Sequence, residues 1–409
     1  MSIKEEAIQL HKKNQGKLQV ASKVSLATRK DLSLAYTPGV AEPCLEIVKD
    51  KELSFAYTCR GNMVAVVSDG TRVLGLGDIG PEAALPVMEG KSVLFKVFGD
   101  VDAVPICIDT KDTEEIIETV KRLQPTFAGI NLEDFSSPKC YDIEDRLKEI
   151  MDIPVFHDDQ HGTAIAALAA TIGALRLVKK ELSAVKIVVN GAGAAGTAIA
   201  NLLIGAGANN VTLLDSKGTL YAGKTGMNRV QAKLAEVTNQ EKRQGSLKDI
   251  AKGVDVLIGV SAADVFTAEI IGSMNQNAIV LALANPVPEI MYDVAKAAGA
   301  KVAGTGRSDA PNQVNNVMVF PGIFRGAIDV RARQINETMK LAAAHAIAGL
   351  ISEEELAEDY VVPDAFDPRV APAVAAAVAQ AAMETGVARI SIEPEMVRKN
   401  AAARIKLGR

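Results

Sequence analysis

The sequence predicts an α/β protein made of two layered units, each organised around a parallel sheet. Short β-rich runs alternate with helical patterns almost from end to end, as strands joined by crossover helices require. The chain has 409 residues, enough for two or three domains at ~150 residues each. Its 48% apolar and 23% charged residues are ordinary for a globular chain with a sizeable core.

In the first 160 residues, strands are expected at Met63–Ser68, Val101–Ile108, Phe127–Leu132 and Pro154–Phe156. Helices are expected near Pro81–Phe98, Thr113–Leu123 and Tyr141–Ile150. In Thr113–Leu123 the residues Ile116, Ile117, Val120 and Leu123 fall on one helical face. A long Ala-rich helix, Thr163–Val178, follows and ends on Lys179 and Lys180, cations suited to a helix C-terminus. That helix reads as a bridge, which sets the domains at 1–160 and 161–409. A second series begins at Lys186 with KIVVN, then VTLLD, VDVLIGV, AIVLALA and KVAGT. After Arg325 the pattern turns helical. The Ala-rich Pro372–Thr385 suits close packing or a subunit contact, and the C-terminal helices could fold back on the first domain.

Composition excludes several classes. Forty-five Lys and Arg against 50 Asp and Glu give a net charge of −5, which argues against nucleic-acid and membrane-surface partners. The uncharged run Ile187–Leu214 is long enough to cross a bilayer, but a Gly-rich turn and asparagines break it into strand, turn and helix. The N-terminus lacks the apolar core of a secretory signal. Cysteines 44, 59, 107 and 140 form no C-x-x-C pair and read as free thiols of a cytoplasmic protein.

The segment KIVVNGAGAAG places G-x-G-x-x-G between a strand and a helix, with Gly191, Ala192, Gly193, Ala194, Ala195 and Gly196 forming the turn. Gly191 would make the tight turn, Gly193 admit a pyrophosphate to the backbone, and Gly196 let the helix pack on the strand. This context predicts a Rossmann-type, doubly wound parallel sheet that binds a dinucleotide. Nineteen residues after Gly196, Asp215 ends the next strand, where a carboxylate holds the ribose hydroxyls of NAD. Lys217 follows closely and could neutralise the 2′-phosphate of NADP, so the expectation leans to NAD with NADP open.

Two acid pairs stand at strand ends in the first domain, Glu133–Asp134 and Asp158–Asp159. Neighbours on a strand face opposite ways, so the first pair can share an ion only if the chain bends. Three such carboxylates suit a hard cation of the Mg²⁺ or Mn²⁺ type. Taken alone, the pairs equally fit solvated turns or helix caps. His157 and His161 flank the second pair, yet no cysteine or third histidine completes a zinc set. In isolation Tyr36 reads as a packing residue and Lys91 as a solvated one.

Taken together the motifs resemble the malic enzymes. YTPGVAEPC at 36–44, SDGTRVLGLGDIG at 68–80, EGK at 89–91, NLEDF at 131–135 and HDDQHGTA at 157–164 appear in order. NGAGAAG, LANPVPE at 283–289 and NNVMVFPG at 315–322 continue the match. The resemblance covers residues ~30–330, to the short bacterial form. It implies oxidation of L-malate with NAD(P) and decarboxylation to pyruvate, with Glu133, Asp134 and Asp159 as ligands of Mn²⁺ or Mg²⁺. It further implies Lys91 as general base, oriented by Asp158, and Tyr36 as general acid. Arg72 would clamp a carboxylate, while Asn285, Asn315 and Asn316 would sit near substrate and nicotinamide. A homodimer is implied as well. Malolactic enzymes, which release lactate from malate with bound NAD, resemble the same scaffold. A non-catalytic sensing module would have lost some of Tyr36, Lys91, Glu133, Asp134 and Asp159, and all five are present.

Overall fold

The computed structural model describes residues 2–405. The chain begins with an arm of four short helices, α1 (Ile3–Asn14), α2 (Arg29–Ala35), α3 (Ala41–Lys49) and α4 (Ser54–Tyr57). Capping boxes start α1 at Ser2 and α2 at Thr28, satisfying the backbone N–H groups that a helix start leaves free. None of the four buries a residue.

The first sheet follows: β1 (Met63–Ser68), α5 (Pro81–Gly99), β2 (Asp102–Cys107), α6 (Thr113–Leu123), β3 (Gly129–Leu132), α7 (Lys139–Ile150) and β4 (Val155–His157). Its four strands are parallel in the order β2-β1-β3-β4. Alternation along β1 serves both faces. Val64 and Val66 face the core shared with the rest of the molecule, and Ala65 and Val67 face Ile116, Ile117 and Leu147 of α6 and α7.

Helix α8 (Asp158–Val178) then carries the chain across. Among the described residues it is the one helix long and apolar enough to cross a membrane, and 67% of its apolar window is buried inside the protein. Ile165 and Leu168 are wholly buried, so α8 is a core helix here. It starts five residues before the expected Thr163. Asp158 and Asp159 therefore occupy a first helical turn, where exposed N–H groups favour carboxylates. Gly162 lies inside this helix, where a Cβ would lie 1.9 Å from Asp158 Oδ1, so the position needs a glycine.

The second sheet comprises β5 (Lys186–Asn190), α9 (Ala194–Gly205), β6 (Asn210–Asp215), β7 (Gly218–Thr219), α10 (Arg229–Val237), α11 (Leu247–Ile250), β8 (Val256–Gly259), α12 (Ala268–Gly272), β9 (Ile279–Ala282), α13 (Tyr292–Ala297) and β10 (Val302–Thr305). The order is β10-β9-β8-β5-β6-β7, parallel except for the two-residue β7, which no periodicity could announce. Strand order reverses at β5, so the crevice beyond β5 and β8 is where such a sheet binds its ligand.

The chain ends in α14 (Phe320–Asp329), α15 (Glu337–Ala348), α16 (Val370–Glu384) and α17 (Pro394–Arg404). Helix α14 returns to the first unit, with Phe320 and Phe324 against Phe95 of α5 at ring separations of 4.6 and 5.2 Å. The Ala-rich α16 packs within the chain: a Cβ at Gly326 would lie 2.4 Å from Ala375 O, so α14 and α16 meet backbone to backbone.

Candidate active site

The dinucleotide turn is built from backbone. Gly191 has φ 116°, and a Cβ there would lie 2.5 Å from Val260 O after β8. A Cβ at Gly196 would lie 1.7 Å from Gly191 O, whereas one at Gly193 meets nothing within 4 Å. Only Gly193 thus faces open space, the place a pyrophosphate would approach. Ala192 is held by Gln231, whose amide donates to its carbonyl at 2.8 Å, and Ala194 and Ala195 open α9.

Asp215 ends β6 and accepts from the Lys217 N–H at 2.8 Å and the Lys224 ammonium at 2.9 Å. The cation beside Asp215 is therefore Lys224, which spacing did not single out because the short β7 turns the chain back. Glu289 was also missed. Fully buried, it accepts from the N–H groups of Ser261 and Ala284 at 2.7 and 3.0 Å and ties together the loops after β8 and β9.

The second cluster is built from side chains. Beyond β3 the Glu133 N–H still donates to Val67 O, and then Asp134 takes φ 58°, so the chain bends between the paired acids. The Asp134 N–H donates to Asp159 Oδ2 at 2.7 Å, joining the β3 edge to the first turn of α8. Lys91 is buried rather than solvated. Its ammonium lies 2.9 Å from Glu133 Oε1 and 2.6 Å from Asp158 Oδ2, and 4.4 Å from the Phe320 ring centre. Asn316, from the loop before α14, also donates to Asp158 Oδ2 at 2.6 Å.

These acids repel one another in a desolvated edge. Burial, then Asp159 and Glu133, push Asp134 up to about 9. Burial is also the largest cause for Asp158, raised to about 7, and for Asp159, raised to about 6. Glu133 is raised as well. Burial alone would lower Lys91, but Asp158 and Glu133 outweigh it and hold the ammonium well above its usual range. In this arrangement Lys91 is an acid clamp and not yet a base.

Among the described residues no three His, Cys, Asp or Glu side chains stand as a ready metal cage. Glu133 is engaged by Lys91 and Asn131, and Asp159 by backbone. Asp134 Oδ2, however, is buried without a hydrogen-bond partner. Three mutually repelling, oxygen-only donors with one orphaned oxygen fit a hard divalent cation.

The remaining expected residues are spread around this edge. The Arg72 N–H donates to Asp134 O at 2.9 Å, and its exposed guanidinium is close enough to lower Asp159. Asn315 caps the turn before α14 by accepting from the Val317 N–H. Asn285 is close to the turn after Arg72, since a Cβ at Gly75 would lie 3.3 Å from its carbonyl. Tyr36, a packing residue when read in isolation and the general acid by resemblance, is 66% exposed at the end of α2. The structure joins Lys91, Glu133, Asp134, Asp158, Asp159 and Asn316, and leaves Tyr36 apart.

The two histidines face different partners. His157 is buried against Phe135, while His161 contacts Glu144 at 2.9 Å and Lys340 at 3.0 Å. Glu144, on α7, also accepts from the His157 N–H and Gln160 and pairs with Lys148. Burial would raise it, but His161 and Lys148 hold it well below the usual carboxylate range. It ties the start of α8, and so both aspartates, to α7.

Comparison with known proteins agrees with this arrangement. The profile described as "Malic enzyme, N-terminal domain" matches residues 15–148, and "Malic enzyme, NAD binding domain" matches residues 160–383. This chain belongs to the malic enzyme family. A bifunctional malic/malolactic enzyme of Bacillus subtilis is 61% identical over 97% of both chains. An NAD-dependent malic enzyme of Geobacillus stearothermophilus is 54% identical over 91% of this chain and 78% of its own. The crystal structure of the malic enzyme from Pyrococcus horikoshii superposes with a TM-score of 0.95 at 48% identity, covering 98% of this chain and 96% of that one. The malic enzyme fold thus includes both sheets, and the second is an NAD(P)-binding domain of the Rossmann type.

Proposed function

We propose that this malic enzyme oxidises L-malate with NAD(P) and decarboxylates the product to pyruvate and CO₂, at the edge where Lys91, Glu133, Asp134, Asp158 and Asp159 meet. The observation that carries the reading is the Lys91 ammonium buried between Glu133 and Asp158, at the C-terminal edge of the first sheet. The domains divide near residue 160, and the enzyme works as a homodimer.

Glu133, Asp134 and Asp159 would hold Mn²⁺ or Mg²⁺. When bound, the cation supplies Lewis-acid polarisation at the substrate's C2 oxygen and the nicotinamide supplies hydride acceptance. Lys91 would take the C2 hydroxyl proton, and engagement of Glu133 as a metal ligand would lower its ammonium pKa, because losing an anionic neighbour does so. Asp158, fixed by Asn316, orients Lys91. Arg72, Asn285 and Asn315 bind the substrate and nicotinamide, and Tyr36 protonates C3 after CO₂ leaves. Asp215 favours NAD through the ribose hydroxyls, with the Lys224 charge as the feature that would admit NADP.

A second reading has its own support: the 61% identical relative is named for both malic and malolactic activity, so lactate is a further product to look for. Steady-state kinetics with L-malate, NAD or NADP, and Mn²⁺ or Mg²⁺ test both readings. Pyruvate formed in step with NAD(P)H, abolished by a chelator and restored by the cation, is expected. Lactate without net NAD(P)H would favour the second reading. Undiminished pyruvate release from an Asp159→Ala enzyme would overturn the metal site.

A further inference from the structure

Glu289 is wholly buried, yet its hydrogen-bond partners are three uncharged donors and none is a cation. Oε1 accepts from the Ser261 N–H at 2.7 Å and from the Ser261 hydroxyl at 3.2 Å. Oε2 accepts from the Ala284 N–H at 3.0 Å. A set made only of donors suits a carboxylate, whose oxygens only accept. Burying a carboxylate with no cation beside it costs free energy, which charge-assisted N–H bonds offset in part. Backbone is also shaped around it. A Cβ at Gly259, the last residue of β8, would lie 2.5 Å from Glu289 Cδ.

The two oxygens hold two different loops. On Oε1 is the loop after β8, which lies against the dinucleotide turn. A Cβ at Gly191 would meet Val260 O at 2.5 Å and Ser261 Cβ at 3.2 Å, and the Asn190 amide donates to Ser261 Oγ at 2.8 Å. On Oε2 is the loop after β9, which carries Asn285. Its tip, Asn285, Pro286 and Val287, is exposed, so its shape depends on how its ends are tied. Glu289 ties them itself, reaching back five residues to the N–H of Ala284, the residue before Asn285. The tip also meets the first sheet's loop after Arg72, since a Cβ at Gly75 would lie 3.1 Å from Pro286 Cδ.

We infer that Glu289 is a positioning residue for the reaction: it clamps the Asn285 loop to the loop beside the dinucleotide turn, and so presents Asn285 to malate. The inference rests on the proposed role of Asn285 in binding substrate. Through one carboxylate, the shape of the substrate loop is set against the part of the sheet that shapes the dinucleotide turn.

A double-mutant cycle tests this with wild type, Glu289→Gln, Asn285→Ala and the double variant, each assayed below its melting transition. Glutamine keeps the size of the side chain, but its NH₂ must face one of the two backbone N–H groups, so one loop is released. Ser261 holds the shorter bond, so the loop released should be that of Asn285. The KM for malate should rise roughly tenfold, as losing a charge-assisted hydrogen bond does. The dissociation constant of NADH, read from its fluorescence, should change far less. In the double variant the malate KM should be no higher than in Asn285→Ala alone, because nothing is left to position. A merely structural Glu289 would weaken both ligands alike and add its effect to that of Asn285→Ala. Either result would overturn the inference. A raised KM in Asn285→Ala beside an unchanged one in Glu289→Gln would overturn it alone. A wild-type malate KM in Asn285→Ala would instead remove Asn285 from the site, and the inference would fall with that reading. Ser261→Ala, which removes only the longer hydroxyl contact, replaces Glu289→Gln if that chain does not fold, and the same non-additivity is required of it.

Discussion

The two ligand-facing edges of this molecule solve the same placement problem with opposite materials. Both lie at the C-terminal ends of parallel strands. The edge of the second sheet is shaped by glycines and backbone N–H groups, and the turn that opens it, residues 191–196, is contiguous in sequence. The edge of the first sheet is assembled from Lys91 on α5, Glu133 and Asp134 after β3, Asp158 and Asp159 on α8, and Asn316 before α14. The first kind is compact, carries little net charge and tolerates no added Cβ at Gly191 or Gly196. The second is dispersed and holds like charges together in a desolvated place, so its state depends on what binds there.

Breaking the side-chain edge should have the largest effect. Lys91→Ala should block both malate oxidation and the reduction of added oxaloacetate, because the same proton is handled in either direction. General acid–base groups typically contribute ~10²–10⁴-fold, and steady-state rates in both directions check this. A loss confined to one direction would remove Lys91 from the hydride step.

The backbone edge should separate two glycines. Gly196→Ala drives a Cβ into Gly191 O, and overpacking of this kind costs about 1–3 kcal/mol or more, so the melting temperature should fall. Gly193→Ala meets no protein atom within 4 Å. Its melting temperature should hold while the KM for the dinucleotide rises. Equal melting losses in the two variants would show that both glycines serve folding alone.

The smallest effect is thermal and depends on pH. Asp134, Asp158 and Asp159 titrate at about 9, 7 and 6 when folded, against 3.8 for an unperturbed aspartate. From about pH 4 to 9 the folded state therefore binds more protons than the unfolded chain, and the metal-free protein should lose stability as pH rises. Lys91 stays charged throughout this window and does not offset the trend. Adding Mn²⁺ should accordingly raise the melting temperature more at pH 8 than at pH 5. An equal rise at both values would mean that these carboxylates do not hold the ion.

The same contrast explains what could be read in advance. The glycine turn and nearly every strand were legible, because contiguous motifs and β-rich runs report local backbone requirements. The start of α8 was placed five residues late, since its first turn, Asp158–Gly162, is polar and carries a glycine that the Asp158 carboxylate requires. Lys91 looked solvated and Tyr36 looked packed, and the structure reverses both. Neither burial is written locally: Lys91 is enclosed by Phe320, far along the chain, and by acids from two other segments. Glu144, Lys224 and Glu289 were missed for the same reason, as each gains its meaning from partners that only the fold brings near.

The return of α14 onto α5 has a mechanical consequence. The chain passes between the two sheets twice, once along α8 and once through the loop before α14, which carries Asn316 and then docks on Phe95. A body attached at one point can swing in any direction, whereas one attached at two can only turn about the line that joins them. Any opening of the crevice between the sheets would have to turn about these two crossings, like a door on a pair of pins. Because one pin is set directly beside Asp158 and the other is the helix that Asp158 begins, such a turn would displace least the place where Lys91 is held.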